Sequence, residues 1–199
     1  MSLLIVGCGK MGGIILDCAV KSGLFEKIDV VEPSECSRRV ISDKHKDKVS
    51  LHQSIPKDAN SDIALICVKP WMVERVVGEL ENVKVIASIA AGITLHQLEG
   101  FNEKIPMVRI MPNTPCQVGQ GMTAIVYNDR RQIDQKLIKA TVDLFKTMGR
   151  VVEWPDERLL DAFTALRGSG PGMLLTILEA CADGAPLHGI PQKLALQVA

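Results

Sequence analysis

The segment Gly7-Cys8-Gly9-Lys10-Met11-Gly12 stands directly after the apolar run Leu3-Leu4-Ile5-Val6 and directly before an apolar-periodic stretch at residues 14–20. A GxGxxG pattern constrains a fold only in this setting, with a strand entering it and a helix leaving it. Each glycine then has a separate task. Gly7 permits the tight turn, Gly9 lets backbone N–H groups approach a pyrophosphate, and Gly12 lets the helix pack closely on the strand. The helix is expected to open at Gly12, with its positive end facing the anion. A glycine-rich turn in an ordinary strand–helix unit is the plainer alternative, and the rest of the sequence has to separate the two.

Short β-branched runs alternate with helical patterns along the chain, which predicts a doubly wound α/β sheet of Rossmann type with helices on both faces. Strands are expected at residues 3–6, 28–32, 49–52, 63–68, 85–89 and 108–111, with further strands at the edge at 121–127 and 151–153. Between the last two, Ile133, Leu137, Leu144 and Met148 recur at helical spacing, and Gly149 stands at the expected C-terminal cap. Thr94 followed by Gln97 fits a capping box for a short helix after Gly92. No internal repeat and no low-complexity segment interrupts the pattern.

At 199 residues, 47% hydrophobic and 23% charged, the chain can bury a substantial core and hold one full domain and part of another. A formal net charge of zero gives no footprint for nucleic acid or an anionic membrane surface, so neither is expected as a partner. Cys8, Cys18, Cys36, Cys67, Cys116 and Cys181 form no CxxC pair and read as reduced thiols packed as small hydrophobes. His45, His52, His96 and His188 lack the i, i+4 spacing of a metal pair, so no metal site is expected. Residues 44–48 read as an exposed connector, and Trp71 and Trp154 as packing residues. The chain enters its first strand without a charged leader and holds no apolar run of membrane-spanning length, which makes the cytoplasm its expected location.

Beyond Pro155 the pattern becomes all-helical. Residues 1–154 are expected to form a dinucleotide-binding domain and residues 155–199 part of a helical one. Asp156 is expected to cap a helix running to about Arg167, Gly168-Ser169-Gly170-Pro171 to interrupt it, and Pro171 to start another that reaches roughly Ala185. A last helix begins after Pro191 and runs to Ala199 without a terminator, as in a helical domain left incomplete. Leu174, Leu175, Ile177 and Leu178 give the helix pair an apolar face that it cannot close alone, so self-association is expected.

Five segments together carry a resemblance: Gly7-Cys8-Gly9-Lys10-Met11-Gly12, Val68-Lys69-Pro70, Ser88-Ile89-Ala90-Ala91-Gly92-Ile93, Arg109-Ile110-Met111-Pro112-Asn113-Thr114-Pro115 and Gly168-Ser169-Gly170-Pro171. In order and spacing the chain resembles the pyrroline-5-carboxylate reductases throughout its length. The resemblance implies a Rossmann-type domain followed by an incomplete all-helical dimerisation domain, and a small-molecule substrate, 1-pyrroline-5-carboxylate. It implies hydride transfer from NADPH or NADH to the C=N carbon, giving L-proline. A protonated cyclic imine accepts hydride without a strong general acid, so the site mainly has to orient two reactants and exclude water.

The same resemblance implies residue roles. Gly7, Gly9, Lys10, Met11 and Gly12 form the cofactor loop, and Val68, Lys69 and Pro70 lie beside the cofactor at the carboxyl end of a central strand. Ala90, Ala91 and Gly92 keep the wall beside the cofactor small, and Asn113 makes a polar contact near the nicotinamide. Gly168, Ser169 and Gly170 cap the substrate carboxylate with backbone N–H groups at a helix N-terminus, which leaves Asn113 and Ser169 as the candidate catalytic residues. Plainer alternatives stay open: a solvated loop lysine at Lys69, a close-packed strand end at 90–92, and a turn asparagine fixing backbone shape at Asn113.

Cofactor choice turns on Glu32, twenty positions past Gly12, where an acid would bond the ribose 2′-hydroxyl of NAD and repel a 2′-phosphate. Members of the resembled family commonly carry a small polar residue there. Ser34, Arg38 and Arg39 follow, and an arginine could pair with that phosphate or simply belong to a solvated helix face. On balance NADH is expected to be preferred. Further departures are Arg167 in place of a small serine, Gly172 in place of alanine, and a helical bundle that in the family continues past the position of Ala199 to complete the substrate site in a partner subunit. Two alternatives follow: a shortened, catalytically impaired relative that keeps dinucleotide binding only, or a reductase of hydroxy acids. The absence of an obvious catalytic lysine in the helix after Pro155 disfavours the latter.

Overall fold

The structure, a computed structural model, describes residues 1–128, 133–154 and 156–199, so Pro155, the expected boundary, lies outside the described residues. The chain divides into two compact units, Met1–Glu157 and Arg158–Ala199.

The first unit is built on an eight-stranded sheet in the order β3-β2-β1-β4-β5-β6-β7-β8. Its strands are β1 (Ser2–Val6), β2 (Lys27–Val31), β3 (Ser50–His52), β4 (Asn60–Ile66), β5 (Asn82–Ser88), β6 (Met107–Met111), β7 (Gly121–Tyr127) and β8 (Gly149–Glu153). The central strands are apolar at consecutive positions because helices cover both faces. In β1, Leu3 and Ile5 face the helices α1 (Lys10–Ser22), α2 (Glu35–His45) and α5 (Gln135–Lys146), in one core with Ile15, Leu16, Ile41, Leu137 and Phe145. On the opposite face α3 (Pro70–Gly78) packs beside α4 (Leu95–Phe101). The expected capping box opens α4, with the Thr94 hydroxyl accepting from the Gln97 N–H and the Gln97 side chain accepting from the Thr94 N–H.

Six strands run parallel, whereas β7 is antiparallel to β6 and β8 follows β7. Residues 112–120, which join β6 to β7 through the short helical turn Thr114–Val118, are too few for the crossover that a parallel neighbour needs. Gly149 does not cap α5; that position belongs to Thr147. Gly149 instead opens β8 at φ +144°, where an added Cβ would lie 2.1 Å from the Gly121 carbonyl oxygen.

Several sequence expectations are corrected by packing. Trp71 is 80% exposed, because it sits roughly 200° around α3 from the buried Val73. Within the supposed connector, His45 is buried, with Nε2 2.9 Å from Asp17 Oδ1 where α2 meets α1. All six cysteines are thiols, but Cys36 and Cys181 are exposed rather than packed.

In the second unit, α6 (Leu159–Phe163) runs through a π-helical turn (Thr164–Ser169) directly into α7 (Gly170–Gly184), and α8 (Gln192–Val198) packs on α7. Arg158, not Asp156, precedes α6. The Gly168–Pro171 segment therefore widens the helix without ending it. Pro171 has no N–H for the carbonyl four residues back and its ring crowds that oxygen, which a wider turn relieves. Met173, Leu174, Leu175 and Ile177 on α7 are each at least 60% exposed. Among the described residues no helix is long and apolar enough to cross a membrane.

Candidate functional site

The strand order reverses between β1 and β4, and in an open α/β sheet the crevice at the carboxyl ends of those strands is where ligands bind. The glycine loop fills that position. Gly7 has φ +91°, and a Cβ there would lie 2.9 Å from Val68 Cγ1 and 3.0 Å from the Cys67 carbonyl oxygen. A Cβ on Gly12 would lie 2.2 Å from the Gly7 carbonyl oxygen, so only glycine lets α1 cross the end of β1 this closely. Gly9 differs: a Cβ would meet nothing within 4 Å, leaving its side of the loop open. Gly9, in extended conformation, is the N-cap, so α1 opens at Lys10 rather than at Gly12. No side chain caps that end, and the first-turn N–H groups of a thirteen-residue helix point into the crevice. This donor set and this gap suit a dinucleotide pyrophosphate.

At the end of β2 the Glu32 carboxylate joins two loops. Its Oε2 accepts from the Cys8 N–H at 3.0 Å and its Oε1 from the Ser34 N–H at 3.0 Å. Arg38 Nη1 donates to the Glu32 and Pro33 carbonyl oxygens, both at 2.7 Å, and Arg39 pairs with Glu35 on the helix surface at 2.5 Å. Ser34 caps α2 through its side chain. Burial, then the negative charges of Glu32 and Asp17, push the Cys8 thiol up to about 11, so Cys8 is held neutral near the loop. A cavity of about 100 Å³ lies between these loops and α3, walled by Gly7, Pro33, Ile55, Val68 and Met72.

Val68, Lys69 and Pro70 follow β4. Pro70 starts α3 and Lys69 is its exposed N-cap, which leaves the solvated-lysine alternative standing. After β5, Ala90 is buried while Ala91 and Gly92 are exposed, with Gly92 at φ +77° where a side chain would be strained. Asn113, after β6, is buried, and its Oδ1 accepts from the Met122 N–H at 2.8 Å, a bond that fixes the backbone of the loop. These segments all lie at the carboxyl ends of β1, β2, β4, β5 and β6. Gly168, Ser169 and Gly170 belong to the second unit, in or beside the π-helical turn, with Ser169 exposed. Since residues 159–184 are continuously helical, no helix N-terminus opens at Ser169.

One pair escaped the sequence reading. Arg109 is buried in the middle of β6 and its Nη1 lies 2.6 Å from Glu157 Oε1, which also accepts the Leu95 N–H at 2.7 Å. The carboxylate thereby ties β6 to the first residue of α4, next to the turn at 90–92. Among the described residues no group of three or more His, Cys, Asp or Glu could hold a metal.

Residues 157–199 match the family model described as pyrroline-5-carboxylate reductase dimerisation, and residues 2–92 the one described as NADP oxidoreductase, coenzyme F420-dependent. The sequence is 39% identical to a pyrroline-5-carboxylate reductase of Synechocystis sp., over 99% of this chain and 76% of that protein. It is 33% identical to one of Arabidopsis thaliana, over 98% of this chain and 71% of that protein. A solved 1-pyrroline-5-carboxylate reductase from Streptococcus pyogenes matches with a TM-score of 0.86 at 30% identity, over 100% of this chain and 74% of that one.

Proposed function

The chain belongs to the pyrroline-5-carboxylate reductase family of NAD(P)-dependent oxidoreductases, and from that premise we propose that it reduces the C=N bond of 1-pyrroline-5-carboxylate to give L-proline. The observation that carries the reading is the backbone cradle of Gly7, Gly9 and Gly12 at the strand switch point, in a chain aligned over nearly its whole length with reductases of that name. The nicotinamide, when bound, supplies the hydride. The residues of the chain bind, orient and exclude water.

On this reading the glycine loop and the first turn of α1 hold the pyrophosphate. Val68, Lys69, Pro70, residues 90–92 and the loop fixed by Asn113 flank the nicotinamide end. Asn113 then acts through its bond to Met122, as a residue that shapes the loop. Gly168, Ser169 and Gly170 hold the substrate carboxylate; a π-helical turn, a feature recurrent at functional sites, replaces the helix end expected there.

The test is oxidation of NADH and NADPH by the purified chain with 1-pyrroline-5-carboxylate, beside a binding titration of each cofactor. Turnover is the expected result. Binding without turnover would favour the alternative of a relative that keeps dinucleotide binding only, and neither would overturn the reading.

The exposed apolar face of α7 and the match of residues 157–199 to a dimerisation family support self-association. Sedimentation velocity is expected to give a dimer or larger species. Introducing Leu174→Glu with Leu178→Glu, one turn apart, should shift it to monomer, and a wild-type chain monomeric at every concentration would count against the assembly.

A further inference from the structure

The ribose end of the crevice distinguishes two forms of the cofactor, and, resting on the reductase reading above, we infer that Glu32 makes this chain prefer NADH over NADPH. Glu32 is half-buried at the end of β2, and each of its carboxylate oxygens is held at 3.0 Å by a backbone N–H, one from the glycine loop and one from the β2–α2 loop. It cannot swing aside without breaking both bonds. A carboxylate fixed there retains lone pairs that accept from a ribose 2′-hydroxyl, and it faces a 2′-phosphate with like charge.

The two arginines that could offset that repulsion each already carry a partner. Arg38 Nη1 is bonded to two backbone carbonyl oxygens, those of Glu32 itself and Pro33, both at 2.7 Å. Arg39 is exposed and paired with Glu35 along the helix. Arg38 thus braces, through Nη1, the loop that presents Glu32, and any contact to a 2′-phosphate would fall to its Nε and Nη2 edge beside that fixed carboxylate. The family model matched by residues 2–92 is described as an NADP oxidoreductase, so a preference for NADH would set this chain apart from that description.

Isothermal titration of the full chain with NADH and NADPH reads the inference directly. NADH is expected to bind at least about tenfold more tightly. Glu32→Gln, which keeps the shape and an acceptor but removes the charge, should bring the two dissociation constants within about threefold by strengthening NADPH. ADP-ribose against 2′-phospho-ADP-ribose on the unaltered chain gives the same comparison without a variant, should Glu32→Gln fail to fold. Equal affinities, tighter NADPH, or selective loss of NADPH in Arg38→Ala would each overturn the assignment while leaving the reductase reading intact. Failure to bind either dinucleotide would overturn both.

Discussion

Alanine at position 12 is expected to abolish dinucleotide binding and to destabilise the first unit by about 1–3 kcal/mol, the range for overpacking a close contact. The added carbon would lie 2.2 Å from the Gly7 carbonyl oxygen and 3.1 Å from Cys67 Cβ. The first of these is backbone, so no side-chain rotation relieves it. Either α1 lifts from β1 or the Gly7 turn opens. Both displace the N–H groups that face the crevice, so the loss of binding should exceed what the stability change alone produces. Gly9→Ala is the matched control for sterics within the protein, since its Cβ would meet no atom within 4 Å. It should leave the urea midpoint nearly unchanged and weaken cofactor binding only by crowding the ligand. Equal urea midpoints for Gly12→Ala and the wild type would refute the packing argument.

Local features were legible in the sequence because their causes are local. The β1 apolar run, the glycine loop and the Thr94–Gln97 box each depend on residues within a few positions of one another, and each stands where expected. Where the helix opens was not legible, because Gly9 can adopt either an extended or a helical conformation and the packing of α1 across the end of β1, through Gly12, decides. The direction of β7 follows from a connection too short to cross over, a constraint that a count of strands does not express. The Gly168–Pro171 segment holds two opposed signals, glycine and proline as helix breakers against apolar residues on either side. The helix continues there by widening to a π turn. Trp71 shows the limit of composition, since a tryptophan on the wrong side of α3 stays exposed whatever its hydrophobicity.

Arg109 and Glu157 lie forty-eight residues apart, which is why no spacing rule finds them. The available signal was an arginine inside the apolar strand Met107–Met111, since a charge so placed requires a partner. Glu157→Gln is expected to cost about 2–3 kcal/mol, below the full range for breaking a buried pair because the carboxylate is a quarter exposed and partly screened by water. Glutamine keeps an acceptor for the Leu95 N–H, so this loss measures chiefly the charge opposite Arg109. Leucine at 157 removes that acceptor as well and should cost more, and it should also loosen α4 beside the turn at 90–92. A cycle built from Arg109→Met, Glu157→Leu and the double substitution separates the two effects. If the ion pair outweighs the Leu95 hydrogen bond, the double variant will be more stable than the sum of the singles by about 1–3 kcal/mol, because no desolvated charge remains. Strict additivity in urea denaturation would mean that Arg109 draws its stabilisation from other neighbours, and that Glu157 holds the start of α4 through the Leu95 hydrogen bond without coupling it to β6.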